Sequence, residues 1–200
     1  MKYQILFITV LFLSCFSNFS WAAETKDGVN HIELAAVMLK DGHHDRALLA
    51  LQSVDLEDKK TDLARFYTLQ GLAYMGLSDL EAAKDSLQLA IKNGQKDSAI
   101  YIYLAQSYFG LKDYQKTIDA IQKAGNQVNK NPSLLSMKAE SYWHLQDVNA
   151  AINALNEGQR LFPADFRFQK RQVFYFVELG LYQEAVRLGR DFLKRSKASV

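Results

Sequence analysis

Chemistry in a protein needs nucleophiles, acids, bases or metal ligands at workable spacings, and few stretches of this chain supply them. His43-His44-Asp45 sets two imidazoles beside a carboxylate, a combination able to hold a metal ion. No further ligand stands near it, so the stretch reads as a solvated turn. His31 and His144 are isolated, and the one thiol is Cys15. The two-histidine pattern of zinc proteases, the G-x-S-x-G elbow and the phosphate-binding loop are all missing from the sequence. Aspartates are the remaining candidates. Asp97, Asn131 and Asp165 recur every 34 residues, with Asp27 in the corresponding place earlier, and Asp79, Asp113 and Asp147 recur at the same interval. Calcium or acid–base chemistry could use such carboxylates, but their strict period points to helix caps, where a short side chain accepts the free N–H groups of the first turn. The expectation is no catalytic residue, no metal ligand and no cofactor.

The elements that carry these caps are read from the same period. Gly42, Ser78, Lys112, Gln146 and Gly180 mark one turn repeated five times, and Ala47, Ala83, Thr117, Ala151 and Ala185 follow it by five residues. Self-similarity at this spacing means a stack of helical hairpins. In the second unit Tyr67, Gly71 and Tyr74 share one helix face, while Ala83, Leu87, Ala90 and Ile91 share another. Gly71 and Ala83 let the two helices approach closely, and Tyr74 and Leu87 fill the space around them. Downstream the corresponding sets are Tyr101, Ala105, Tyr108 with Thr117, Ile121, Ala124, then Leu135, Ala139, Tyr142 with Ala151, Leu155, Gly158. The fifth set is Val173 and Phe176 with Ala185, Gly189 and Phe192. Hydrophobic content of 48% suffices for a continuous core, and only two prolines interrupt it.

The amino terminus is read separately. Met1-Lys2-Tyr3 precedes an apolar run over 5–16, and Ser20-Trp21-Ala22 offers small residues at the sites a signal peptidase reads. Residues 1–22 are therefore expected to be a secretory signal, with an uncleaved anchor as the alternative. Cys15 sits inside this run in a loose lipobox, so lipidation competes with loss of the thiol on cleavage. A formal net charge of +2 says little about partners. Its distribution says more: residues 165–200 hold eight Lys/Arg against four Asp/Glu, whereas 23–164 hold fifteen against eighteen. That basic end faces either an anionic partner or membrane surface, or solvent. Nucleic acid is not expected, since no dense basic patch exists.

With its period, its small residues and its closing Pro163, the chain resembles the tetratricopeptide repeat family over about residues 28–195. The resemblance implies an all-α, right-handed superhelical solenoid of about five antiparallel helix pairs, in units of about 28–61, 64–97, 98–131, 132–165 and 166–195. It also implies a concave face lined by the first helices and a protein or peptide partner. Rotating one position from the packing stripe gives the expected lining: Ile32, Ala36 and Leu39, then Thr68, Leu72 and Met75, then Ile102, Gln106 and Phe109, then Ser136, Glu140 and Trp143, and last Lys170, Phe174 and Val177. The family's clamp for a terminal carboxylate is not expected, because Ile32, Ala36, Leu69, Ser133 and Met137 stand in its places. The function expected is a non-enzymatic scaffold of the bacterial cell envelope, most simply periplasmic. Alternatives are a structural part of an outer-membrane pilus, secretion or polysaccharide-export assembly, and self-association that covers the same face.

Overall fold

A computed structural model describes residues 29–198, with side chains to residue 194. The signal-segment expectations, Cys15 and Asp27 all lie outside those residues. The body from His31 onward is all helical among the described residues: α1 (His31–Lys40), α2 (His44–Gln52), α3 (Leu63–Gly76), α4 (Leu80–Lys92), α5 (Ala99–Gly110), α6 (Tyr114–Lys123), α7 (Pro132–His144), α8 (Val148–Leu161), α9 (Arg167–Glu178) and α10 (Tyr182–Ala198). Each helix packs on its neighbours in sequence, and the first helices of successive pairs also touch, α1 with α3, α3 with α5 and α5 with α7. This is the helical solenoid that the 34-residue period predicts. No described helix is long and apolar enough to cross a membrane.

The hairpin turn explains why the period is so regular. Gly42, Ser78, Lys112, Gln146 and Gly180 all have positive φ, between 62° and 78°. Each allows the next N–H to reach back five residues and close the helix end: His43 to Met38, Asp79 to Tyr74, Asp113 to Tyr108, Asp147 to Tyr142, and Leu181 to Phe176, at 2.8–3.0 Å. The same aspartates then start the next helix. Asp79, Asp113 and Asp147 accept from the backbone N–H of Ala82, Lys116 and Ala150. One short segment therefore stops one helix and caps another. Three of the left-handed positions carry side chains, which costs each about 1–2 kcal/mol relative to an unstrained conformation. Gln146→Gly is expected to raise unfolding stability by about 0.5 kcal/mol, the strain relieved less the added chain entropy; chemical denaturation measures it.

First-helix caps form as expected at Asp97, Asn131 and Asp165, which accept from Ala99, Ser133 and Arg167. Asp62 caps α3 in the same way through Arg65 and had not been anticipated. One element also differs from expectation. Gly125, at φ 58°, ends α6 early and the chain continues as a short 3-10 turn over Gly125–Lys130 that buries Val128.

The core runs along the inside of the hairpins. A Cβ at Gly71 would press into Leu87, so this glycine is the close-approach point that the spacing implied. Gly158 does the same for the next unit, its bare α-carbon lying against the Phe168 ring. Gly76 accommodates the imidazole of His44, which corrects the reading of that histidine as solvated. His44 is half-buried because it opens α2 and so lies against the end of α3.

Candidate functional site

All fifteen residues of the expected lining remain accessible. Thr68, Leu72, Met75, Ile102, Gln106, Phe109, Ser136, Glu140 and Trp143 are half-buried, while Lys170, Phe174 and Val177 are exposed. Ile32, Ala36 and Leu39 are likewise half-buried. Each side chain packs through its stem and keeps one edge in solvent. The described side chains therefore do not close over this face, and its accessibility increases toward the last hairpin.

At that end the face becomes a shaped cavity of about 400 Å³ lined by Ser136 of α7 and by Arg167, Lys170, Arg171 and Phe174 of α9. Arg167 and Lys170 also border a second cavity, of about 650 Å³, that runs along Leu161–Phe166 in the link between α8 and α9. Three cations thus meet beside an aromatic ring. They are not equivalent. Arg167 binds Asp165 through its Nε at 2.9 Å and Nη2 at 2.6 Å, and its guanidinium holds that carboxyl below its ordinary range. Arg171 reaches across to Glu140 at 3.1 Å. Lys170 lies 5.7 Å over the Phe192 ring, and among the described residues no carboxylate pairs with it. Its ammonium is the charge available to a guest.

Stacked rings brace the helices that carry the cavity. Trp143 stacks on Tyr175 with centroids 3.9 Å apart and planes 3° from parallel. His144 stacks on Tyr114 at 4.3 Å, and Glu140 stands 4.0 Å from His144. Trp143 is therefore as much a brace between α7 and α9 as a contact surface. Tyr175 is fully buried and its hydroxyl finds no hydrogen-bond partner among the described residues. Burial pushes that hydroxyl up to about 12, with Arg171 pulling it back and Glu140 adding to the rise. An unsatisfied buried hydroxyl costs about 1–3 kcal/mol. Tyr175→Phe, which keeps the ring stacked on Trp143, is expected to stabilise the protein by about 1 kcal/mol; a raised melting temperature without change in helicity checks it.

Sequence spacing places Lys170 and Phe174 on this surface but misses Arg167 and Arg171. Arg167 and Arg171 occupy the helix positions held one unit earlier by Ser133 and Met137, two of the places named above for the family's carboxylate clamp, and the one-position stripe passes beside them. The local excess of base over acid was the available signal, and it identified a region without naming residues. The buried face of α9 also differs from expectation. Phe168, Gln169, Gln172 and Tyr175 are buried there, whereas Val173 and Phe176 are only half-buried. Gln172 is satisfied by Gln159 at 2.7 Å and Asn156 at 3.2 Å, so α9 carries polar side chains into its contact with α8. Among the described residues no group of three His, Cys, Asp or Glu is placed to hold a metal ion.

Comparison with known proteins supports this architecture. Residues 64–93 match the family model for the tetratricopeptide repeat, and residues 81–158 match the model for the anaphase-promoting complex, cyclosome, subunit 3. No curated protein sequence matches the chain. Among solved structures, "MamA MSR-1 C2" superposes with a TM-score of 0.72 at 15% identity, covering 85% of this chain and 97% of that one. MamA 41-end from Desulfovibrio magneticus RS-1 gives 0.72 at 13% identity, covering 84% and 94%. "Crystal structure of MamA protein" gives 0.72 at 20%, covering 84% and 90%. Likeness at such identity is a likeness of fold.

Proposed function

We propose that this chain, whose residues 64–93 match the tetratricopeptide-repeat model, is a non-enzymatic scaffold that holds an acidic, apolar-anchored segment of a protein partner along its first helices. The observation that carries the reading is the α7–α9 cavity, where the accessible stripe ends in Lys170, two arginines and Phe174. Rigid packed helices present such a surface ready-made, so the ordering cost of binding falls on the guest. Carboxylates of the guest meet the cations while its apolar side chains lie on Phe109, Leu72 and Met75. A cell-envelope location, periplasmic in the simplest form, rests on the signal-like residues 1–22.

The test uses two labelled peptides that share leucines at helical spacing, one carrying glutamates between them and one carrying lysines. Fluorescence anisotropy should show the acidic peptide binding, with affinity falling as salt rises, and the lysine twin failing to bind. Equal binding of both, or of neither, removes the reading. Fractionation that leaves the unprocessed chain in the cytoplasm would remove the envelope location alone.

A further inference from the structure

The junction between hairpins repeats its own contacts, and this fixes what one more hairpin would have to offer. The residue that opens each second helix rests on the last turn of the next first helix. His44 lies over Gly76, Leu80 over Gly110, and Tyr114 stacks on His144. Val148 holds that place in α8 and is half-buried, and Tyr182 is last in the series; it opens α10 and is 65% exposed. One turn further on, Val186 is 52% exposed, although Ile118 in the same position of α6 is 7% exposed. The trailing end of the stack is an inter-hairpin surface with no hairpin on it among the described residues.

The leading end shows the matching half. Val37 holds in α1 the position of Ala73, Ser107, Ser141 and Tyr175, all completely buried, yet it is 51% exposed. Lys40 holds the position of Gly76, Gly110 and His144, the residues on which the preceding knob rests. Charge separates the two ends as well. Residues 31–62 carry seven Asp/Glu against four Lys/Arg, and 165–200 carry four against eight. Two trailing ends would repel each other, whereas a trailing end and a leading end attract.

We propose that a second copy of this chain seats head to tail on the first, α10 of one on α1 of the next. Tyr182 then rests on Lys40 as Tyr114 rests on His144, ammonium over ring, and Val186 is covered from the side of Val37. The contact is heterologous, so it propagates into a ring or a filament rather than stopping at a two-fold pair. This surface lies away from the cavity of α7 and α9, and neither proposal depends on the other.

Disulfide trapping tests the geometry directly. In a full-length Cys15→Ser background, Lys40→Cys and Tyr182→Cys are made as separate proteins, with circular dichroism confirming that each is folded. Oxidation of the two together should give a crosslinked dimer, and oxidation of either alone should not; a chain with both substitutions should give a ladder of higher species that fades as salt rises. Sedimentation of the otherwise unaltered chain should show association that Tyr182→Glu reduces at least tenfold in apparent affinity. Efficient crosslinking of Tyr182→Cys alone means tail-to-tail pairing and overturns the proposal. So does a mixture that stays uncrosslinked, or sedimentation that shows a monomer throughout.

Discussion

Phe168→Ala is expected to lower the stability of the last two hairpins by about 3–5 kcal/mol, the range for emptying a large aromatic site in a packed core. Phe168 is completely buried, sits on the bare α-carbon of Gly158 and faces the Phe162 ring at 6.4 Å. Gln172 ties the same two helices by hydrogen bonds to Gln159 and Asn156, whereas Phe168 joins them by packing. In a stack held by nearest-neighbour contacts the loss stays local, so α9 and α10 should melt ahead of α1–α6. Hydrogen exchange resolved by segment would show it, and uniform loss of protection along the chain would count against that account. The partner glycine supplies a second reading of the same contact. Gly158→Ala alone should destabilise by about 1–3 kcal/mol through overlap with the ring. In the Phe168→Ala background that penalty should largely vanish, a coupling that a double-mutant cycle reads directly.

Lys170→Glu should weaken the acidic peptide by about 30- to 100-fold, or about 2–3 kcal/mol, because it replaces the one cavity cation without a carboxylate partner by a like charge. Fold stability should scarcely change, since Lys170 is exposed. Arg171→Glu is a less clean probe, because it would also break the 3.1 Å pair with Glu140 between α7 and α9. Trp143→Ala is poorer still: it removes the plane on which Tyr175 stacks, so lost binding would be confounded with lost packing. Phe174→Ala is the better apolar companion, with a ring 49% exposed at the cavity edge. Anisotropy titration at two salt concentrations separates the contributions. An unchanged affinity in both variants would end the case for this cavity.

What could be read from the sequence follows from what sets the period. Turns and caps are local devices with few suitable residues, so Asp79, Asp113, Asp147 and the left-handed position before each announce themselves. The close approach at Gly71 is legible for the same reason, since one face must be small where two helices touch. Contacts between hairpins were harder to foresee. Whether His44 lies in solvent or on Gly76 depends on the neighbouring unit, and so does which face of α9 is buried. The arginines of the cavity escaped because the lining was read along a single stripe, whereas they stand in the register of Ser133 and Met137 beside it. Only three-dimensional placement distinguishes Lys170 from the cations already committed to Asp165 and Glu140.

The turn that both closes one helix and caps the next has a bearing on how this molecule can change length. Three residues separate the two helices of every pair, at 41–43, 77–79, 111–113, 145–147 and 179–181. Between pairs the gaps run to ten, six, eight and five residues. An insertion inside a pair would take the cap from its helix and swing the second helix about its axis. One between pairs merely lengthens a surface link. Tags, epitopes and deletions should therefore be tolerated at 55–60, where the link is exposed, and rejected at 111–113.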